Sequence, residues 1–365
     1  MEFIICKLKE IVKSLKQSPV FNMSLGSKEL FHSNFIAWLI DSGAVDSKDF
    51  LENLLSESES RQIPSGHIAT VEREVKHFDI RIWFNDGYSI LIENKVKSTP
   101  LKKQLDKYSQ TLKEKEPDIS KTICVLLSLT KPKFFKNGDY ICDSGIKWIY
   151  ISYDHLKFVL ENSEVRGRPY YKELIRDYCE FIGILSQLKD ACISSWDQIP
   201  VLLKCQNSDY ILLQELRLHD IYEKWRMSEI RKRIEDQGIG DVDFEVGYTN
   251  GNGLLHIAPA RHENRRDYFL AVQIQGNQLR QVLQINKIED SNYDIFKKAD
   301  DLLTQGKWFL NKSKKALPEI KNSKAPIEQK GFCKYGLTFA YRHEELSDLD
   351  RVVELIKIMK KYNNA

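Results

Sequence analysis

The chain has 365 residues, of which 42% are hydrophobic and 29% charged, with a formal net charge of +3. That is enough apolar material for one large core or two ordinary ones, and too even a charge balance for a dedicated polyanion-coating protein. Seven cysteines lie singly, with no CxxC pair and no zinc-ligand spacing, which speaks against a disulfide scaffold or zinc ribbon and for reduced core thiols in a cytoplasmic protein.

The chain opens with MEFIICKLKEIVKSL, where Lys7, Glu10 and Lys13 interrupt the apolar residues at helical spacing. This predicts an amphipathic packed helix rather than a signal peptide. No run of about 18 apolar residues occurs, so no membrane span is expected. SLGSKELFHSNFIAWLIDSG predicts a second helix, capped at Ser27, striped by Phe31, Phe35, Trp38 and Leu39, and closed at Gly43. DSKDFLENLLSE adds a short third.

HIATVEREVKHFDIRIWF then alternates apolar and polar residues, the period of one strand or of two joined at a bend. The turn signal Asn85-Asp86-Gly87 follows, and YSILIENKVK completes a hairpin. After Pro100, LKKQLDKYSQTLKEK sets Leu101, Leu105, Tyr108 and Leu112 on one helical face. TICVLLSLT and IKWIYISY read as strands, DHLKFVLEN and PYYKELIRDYCEFIGILSQL as helices. The order predicts an α/β domain over residues 1–190.

Residues 190–210 are less periodic and form the expected boundary. A second, α+β domain is predicted over 205–365. SDYILLQELRLHDIYEKWRMSEIRKRIED reads as one long amphipathic helix or a pair. VDFEVGY, GLLHIAPA, DYFLAVQIQ and LRQVLQI predict an antiparallel sheet, with turns at Asn250-Gly251 and Gly276-Asn277. GFCKYGLTFAYR reads as one further strand and DLDRVVELIKIMKKY as a closing helix. No repeat or low-complexity tract is found.

The chemistry concentrates where the apolar strand YSILIENKVK runs into Glu93 and Lys95. Residues i and i+2 of a strand share a face, so both charged heads emerge together. A hairpin turning at Asn85–Gly87 mirrors Asp79 close to Glu93. Two carboxylates and one amine then meet at one sheet edge. Paired hard-oxygen ligands suit Mg²⁺ or Mn²⁺. Such an ion can acidify a water and hold a phosphate oxygen, and an ammonium beside it offsets developing negative charge. In so charged a chain the triplet alone is more often a solvated salt bridge. The apolar approach to Glu93, the pairing with Asp79 and the following helix shift the balance toward phosphodiester hydrolysis.

Asp79, then Glu93-Asn94-Lys95, then Gln104-Leu105-Asp106-Lys107-Tyr108 resembles the PD-(D/E)xK nuclease superfamily, the last stretch being similar to the QxxxY signature of its RecB-like branch. The element order resembles the superfamily's restriction-endonuclease-like αβββαβ core. GSKELFHSNFIAWLID followed by DFLENLL is similar to the opening of an uncharacterised bacterial branch. The resemblance implies a Mg²⁺- or Mn²⁺-dependent deoxyribonuclease acting in bacterial defence or repair. Its partners would be DNA, with a homodimer mate or a defence-system component. Glu29, Asp79 and Glu93 would be metal ligands, with the Asn94 carbonyl as a further one. Lys95 would be the catalytic lysine, and Gln104 would orient it or a phosphate with Tyr108 alongside. Ser33 and Asn34 would contact substrate or, on the plainer reading, are polar residues of a helix face. Glu72 and Glu74 compete with Glu29 as the extra acid. Phe78 stands where the family has proline. The alternative is a catalytically silent nuclease fold that binds nucleic acid or protein, against which the complete Asp79/Glu93/Lys95/Gln104 set argues.

Other motifs are absent: no Walker A, GxSxG or HExxH occurs, and Gly251-Asn252-Gly253 lacks the third glycine of a dinucleotide loop. Lys224, Arg226, Arg231, Lys232 and Arg233 crowd one helical segment and could meet phosphates. A solvated face balanced by Glu223, Glu229 and Glu235 is the favoured reading there. Lys312, Lys314 and Lys315 form a second basic cluster, and Arg261, Arg265 and Arg266 lie in an expected loop.

Overall fold

A computed structural model describes residues 2–18, 20–21, 29–56, 64–75, 78–96, 100, 102–116, 118–204, 208–260, 268–285, 297–298, 301–302, 327–329, 332–335 and 339–364, with side chains left out at 2–7, Glu29, Val75, 208–209, 327–329, 332–335 and Asn364. The chain divides into two compact units, Met1–Cys192 with Leu212–Ile221, and Ile193–Ile211 with Tyr222–Ala365. Among the described residues no helix is long and apolar enough to cross a membrane. Cys124, Cys142, Cys179 and Cys192 are buried thiols outside any disulfide, and burial pushes the Cys179 thiol up to about 12, which makes it a packing group rather than a nucleophile.

In the first unit, helices α1 (Glu2–Gln17), α2 (Glu29–Asp41) and α3 (Ser47–Leu55) precede strands β1 (Ile68–Val75), β2 (Phe78–Phe84) and β3 (Ser89–Lys95). The expected cap Ser27 lies outside the described residues. Gly43 closes the end of α2 at φ +65. HIATVEREVKHFDIRIWF is two strands, paired antiparallel through Thr70↔Trp83 to Val75↔Phe78. The β2–β3 turn is built by its own side chains. Asp86 accepts from the Gly66 and Tyr88 amides at 2.9 and 3.2 Å, Asn85 accepts from His67 N–H at 3.0 Å, and Gly87 supplies φ +81. It sets the register Ile80↔Ile92, Arg81↔Leu91, Ile82↔Ile90.

Helix α4 (Lys102–Lys115) then crosses over to β4 (Thr122–Ser128), which pairs parallel with β3 from Ser89↔Thr122 to Lys95↔Ser128. β6 (Lys147–Ser152) pairs parallel with β4, and the short edge strand β5 (Asp139–Ile141) pairs antiparallel with β6. The sheet order is β1-β2-β3-β4-β6-β5. Strand β3 is thus central, and all its residues but Lys95 are buried. One face packs Leu91, Leu105, Leu112, Cys124, Leu126 and Trp148 into a common cluster. On the other, α2 lies against β1, β2 and β3, which is why its Phe35, Ile36, Leu39 and Ile40 are buried. Helices α5 (Tyr153–Asn162) and α6 (Tyr170–Ser195) follow. This is a mixed α/β fold of the restriction-endonuclease-like type.

The long amphipathic stretch is a pair of helices, α8 (Ser208–Glu215) and α9 (His219–Glu235), after the short α7 (Ile199–Leu203), and its residues Leu212–Ile221 fall in the first unit. No glycine or proline marks the break. Arg217 takes φ +54 there, and the Leu218 amide reaches back to Leu213 O at 2.9 Å, closing α8. Strands β7 (Val242–Thr249), β8 (Asn252–Pro259), β9 (Tyr268–Gln275) and β10 (Gln278–Ile285) turn at the expected Asn250-Gly251 and Gly276-Asn277. GFCKYGLTFAYR, read as one strand, is two: β12 (Phe332–Tyr335) and β13 (Phe339–Glu345) pair with each other through Cys333↔Tyr341, so the chain reverses between them. With β11 (Ile327–Gln329) the antiparallel order is β11-β12-β13-β10-β9-β8-β7. The closing helix α10 (Leu349–Asn364) lies on β8 and β9, and the Asn363 amide joins the Leu270 backbone at 3.1 and 2.9 Å.

The basic segment of α9 resolves residue by residue. Arg231 pairs with Glu235 at 2.8 Å, and Arg233 and Lys232 pair with Glu229 at 3.1 and 3.7 Å, as the solvated-face reading expects. Arg226 fits neither reading, because it and Glu223 have no exposed side-chain surface at all. The clusters at 261–266 and 312–315 lie outside the described residues. Glu223 also accepts from the Gly253 amide at 3.1 Å, so the β8 backbone approaches α9 closely. A Cβ at Gly253 would stand 2.7 Å from Glu223 Oε2 and 3.0 Å from both Glu223 O and Met227 Cγ. Gly253→Ala is therefore expected to cost about 1–3 kcal/mol, read as a lowered thermal midpoint. A midpoint equal to wild type would show that α9 gives way without strain.

Candidate functional site

The edge of interest lies where β3 runs out. Its side chains alternate, so Leu91, Glu93 and Lys95 face the α4 layer while Ile92 and Asn94 face α2. Lys95 Nζ stands 2.7 Å from Glu93 Oε1, with side chains 11% and 2% exposed. A carboxylate this buried is stable only with strong partners. A second one comes from the first turn of α4, where Gln104 Nε2 donates to the same Oε1 at 3.1 Å. Its other N–H goes to the Tyr108 hydroxyl at 2.7 Å, so both protons of the amide are used and its orientation is fixed. Burial, and then the Glu93 charge, hold the Tyr108 phenol above the usual tyrosine range, so it stays protonated.

Across the hairpin, the register that pairs Ile80 with Ile92 brings Asp79 level with Glu93 at its next step. The Asp79 carboxylate takes the Asn94 backbone N–H at 2.7 Å, a charge-assisted bond that ties the two strands where the ladder ends. Phe78, in the position where proline was expected, packs edge-on against Tyr108 with centroids 5.2 Å apart and so braces that ring.

On the opposite face the Asn94 side chain is wholly buried. Its Nδ2 donates to Ser33 Oγ at 3.0 Å, and its Oδ1 accepts from the Tyr153 hydroxyl at 2.5 Å. Ser33 therefore supports the strand from within the core. Asn34 sits at the rim and accepts from Arg73 at 2.8 Å. Glu72 accepts from the Trp83 indole at 2.8 Å, which gives it a bracing role between β1 and β2. Glu74 is exposed, with φ +53. Glu29 begins α2, and its side chain lies outside the described residues.

Among the described residues no group of three or more His, Cys, Asp or Glu forms a metal cluster. The donors that are present are Asp79, Glu93 and the Asn94 main-chain carbonyl, all hard oxygens. That set fits Mg²⁺ or Mn²⁺ better than zinc or copper, because Mg²⁺ is commonly held by one or two carboxylates while keeping several waters.

Sequence reasoning missed the network beneath Asn94. A polar residue in an apolar strand signals that buried partners must exist. It does not name them, because Ser33 and Tyr153 lie 61 and 59 residues away along the chain.

The family model described as the PD-(D/E)XK nuclease superfamily matches residues 20–180. A search of curated proteins and a search of solved structures each returned no match.

Proposed function

Because residues 20–180 belong to the PD-(D/E)XK nuclease superfamily, we propose that this protein is a divalent-metal-dependent nuclease that hydrolyses DNA phosphodiester bonds. The observation that carries the reading is Glu93 Oε1, which Lys95 and Gln104 approach together at 2.7 and 3.1 Å at the end of a buried strand.

Asp79 and Glu93 would hold Mg²⁺ or Mn²⁺, with the Asn94 carbonyl as a further ligand and Glu29 as the favoured extra acid. When bound, the ion supplies Lewis acidity toward a water and a phosphate oxygen. Lys95 orients the attacking water and offsets negative charge developing on the phosphoryl oxygens. Gln104 keeps the Glu93 carboxylate in one rotamer, and Tyr108 keeps Gln104 in place. Asn34, at the rim, remains the candidate for substrate contact on this face. We assign the second unit to substrate selection, self-association or the binding of a partner, in bacterial defence or repair.

A panel of linear, circular and single-stranded DNA and of RNA, with Mg²⁺ or Mn²⁺, tests the proposal. Metal-dependent cutting of DNA that EDTA stops is the expected result. Cutting of RNA alone, or no cutting of any substrate with either ion, would overturn it.

A further inference from the structure

Resting on the nuclease reading of the same site, we propose that the Asn94 side chain is a positioning residue. Through Ser33 and Tyr153 it sets the geometry in which Asp79, Glu93 and Lys95 meet metal and substrate.

The argument begins with strand alternation. Glu93 and Lys95 present their heads on one face, and the residue between them presents its side chain on the other. Whatever fixes Asn94 fixes the peptide planes on both sides of it. Its side chain has two anchors, the Ser33 hydroxyl from α2 at 3.0 Å and the Tyr153 hydroxyl from the start of α5 at 2.5 Å. Its backbone N–H holds Asp79 Oδ2 at 2.7 Å. One residue thus couples a carboxylate of β2 and two helices to the peptide that carries the ion-paired Glu93 and Lys95.

The anchors are themselves held. Tyr153 is hydrogen-bonded to Tyr178 of α6, whose hydroxyl meets His32 Nδ1 at 3.1 Å. The Tyr178 ring stacks on Phe35 at 3.8 Å, and the His32 ring stacks on Phe181 at 5.4 Å. His32, Ser33, Asn94, Tyr153 and Tyr178 are each at most 2% exposed. Burial keeps the Tyr178 phenol far above its ordinary range, so the chain of hydroxyls remains neutral. Such a network has few alternative arrangements, because any group that lets go is left buried and unsatisfied. That rigidity is what a site needs when small displacements of its ligands cost rate.

Tyr153→Phe removes one hydroxyl and leaves the ring, so it tests the anchor without opening a cavity. Tyr140→Phe serves as the matched control, since it also removes one short bond, 2.6 Å to Asp106, that involves none of the proposed metal ligands, Lys95 or Gln104. Three quantities are measured on the full chain: the thermal midpoint, Mn²⁺ affinity by electron paramagnetic resonance, and kcat and KM on DNA. Tyr153→Phe is expected to weaken Mn²⁺ binding or kcat by about 10- to 100-fold, with KM little changed, as is usual for residues that orient metal ligands. Tyr140→Phe should lower only the midpoint. If Tyr153→Phe lowers the midpoint like the control and leaves Mn²⁺ affinity and kcat at wild-type values, the positioning role is wrong although the nuclease reading stands. A wild type that binds Mn²⁺ without cutting leaves the Mn²⁺ comparison to decide. A wild type that neither binds Mn²⁺ nor cuts overturns both.

Discussion

Lys95→Ala is expected to lower the single-turnover cleavage rate by about 10²–10³-fold, the usual loss on deleting one electrostatic stabiliser, while Mn²⁺ still binds. The two effects separate because the lysine and the carboxylates oppose each other in charge. An ammonium 2.7 Å from Glu93 Oε1 neutralises part of the charge that attracts a cation, so its removal leaves the ligand set more negative. Glu93 keeps Gln104, so it stays oriented. Asp79→Ala should instead lose metal binding and cleavage together. Without metal, Lys95→Ala leaves a nearly buried carboxylate short of its counter-ion, and the midpoint should fall. Added Mn²⁺ should raise that midpoint more than it raises wild type, because a ligand that binds only the folded state stabilises it in proportion to its affinity. Full cleavage by Lys95→Ala would remove the lysine from the mechanism, and loss of Mn²⁺ binding would make it a structural ion.

Arg226→Ala is the largest stability change expected in the second unit, about 3–5 kcal/mol, the range for removing one partner of a buried ion pair. All five guanidinium protons are placed. Nε and one Nη proton go to Glu223 at 3.2 and 2.9 Å, and the others reach the carbonyls of Leu202, Leu203 and Gly276 at 3.0, 3.4 and 2.9 Å. Deleting the side chain strands a buried carboxylate and three backbone acceptors at once. Arg226→Lys should recover little, since a single ammonium cannot reproduce the fork. The measurement is thermal unfolding, with a drop of roughly 10 °C expected. A phosphate-contacting arginine would behave differently, leaving the midpoint alone and flattening the salt dependence of DNA binding. That outcome would reverse the assignment.

How much of this was legible beforehand depended on whether the signal was local. The β2–β3 hairpin was legible because Asn85-Asp86-Gly87 declares its turn, and alternation through HFDIRIWF and YSILIENK sets which residues face which. From those alone Asp79 could be put beside Glu93. Helical spacing put Gln104 beside Tyr108, since residues four apart share a face, while their role at the site came only from the family resemblance. Burial was not legible. Glu223 and Arg226, three residues apart on a helix, have the same spacing whether they lie in water or in a core. Ser33 looked like a polar residue of a helix face because nothing near it in the chain announces Asn94. The short edge strands β5 and β11 carry too few residues for a period to emerge. The break at Arg217 uses a left-handed residue that composition alone would not choose.

The bonds around Asn94 also set an order in time. The hairpin that pairs β2 with β3 closes over a few residues and can form as soon as the chain reaches Lys95. The anchors beneath it span 59 residues to Tyr153, and the His32–Tyr178 contact spans 146. During synthesis the two carboxylates therefore come together long before the floor that steadies them exists. A growing chain cannot assemble the complete edge until α6, which ends at Ser195, has been made, but most of the second unit follows that point, so the edge can be complete while the second unit is still being made.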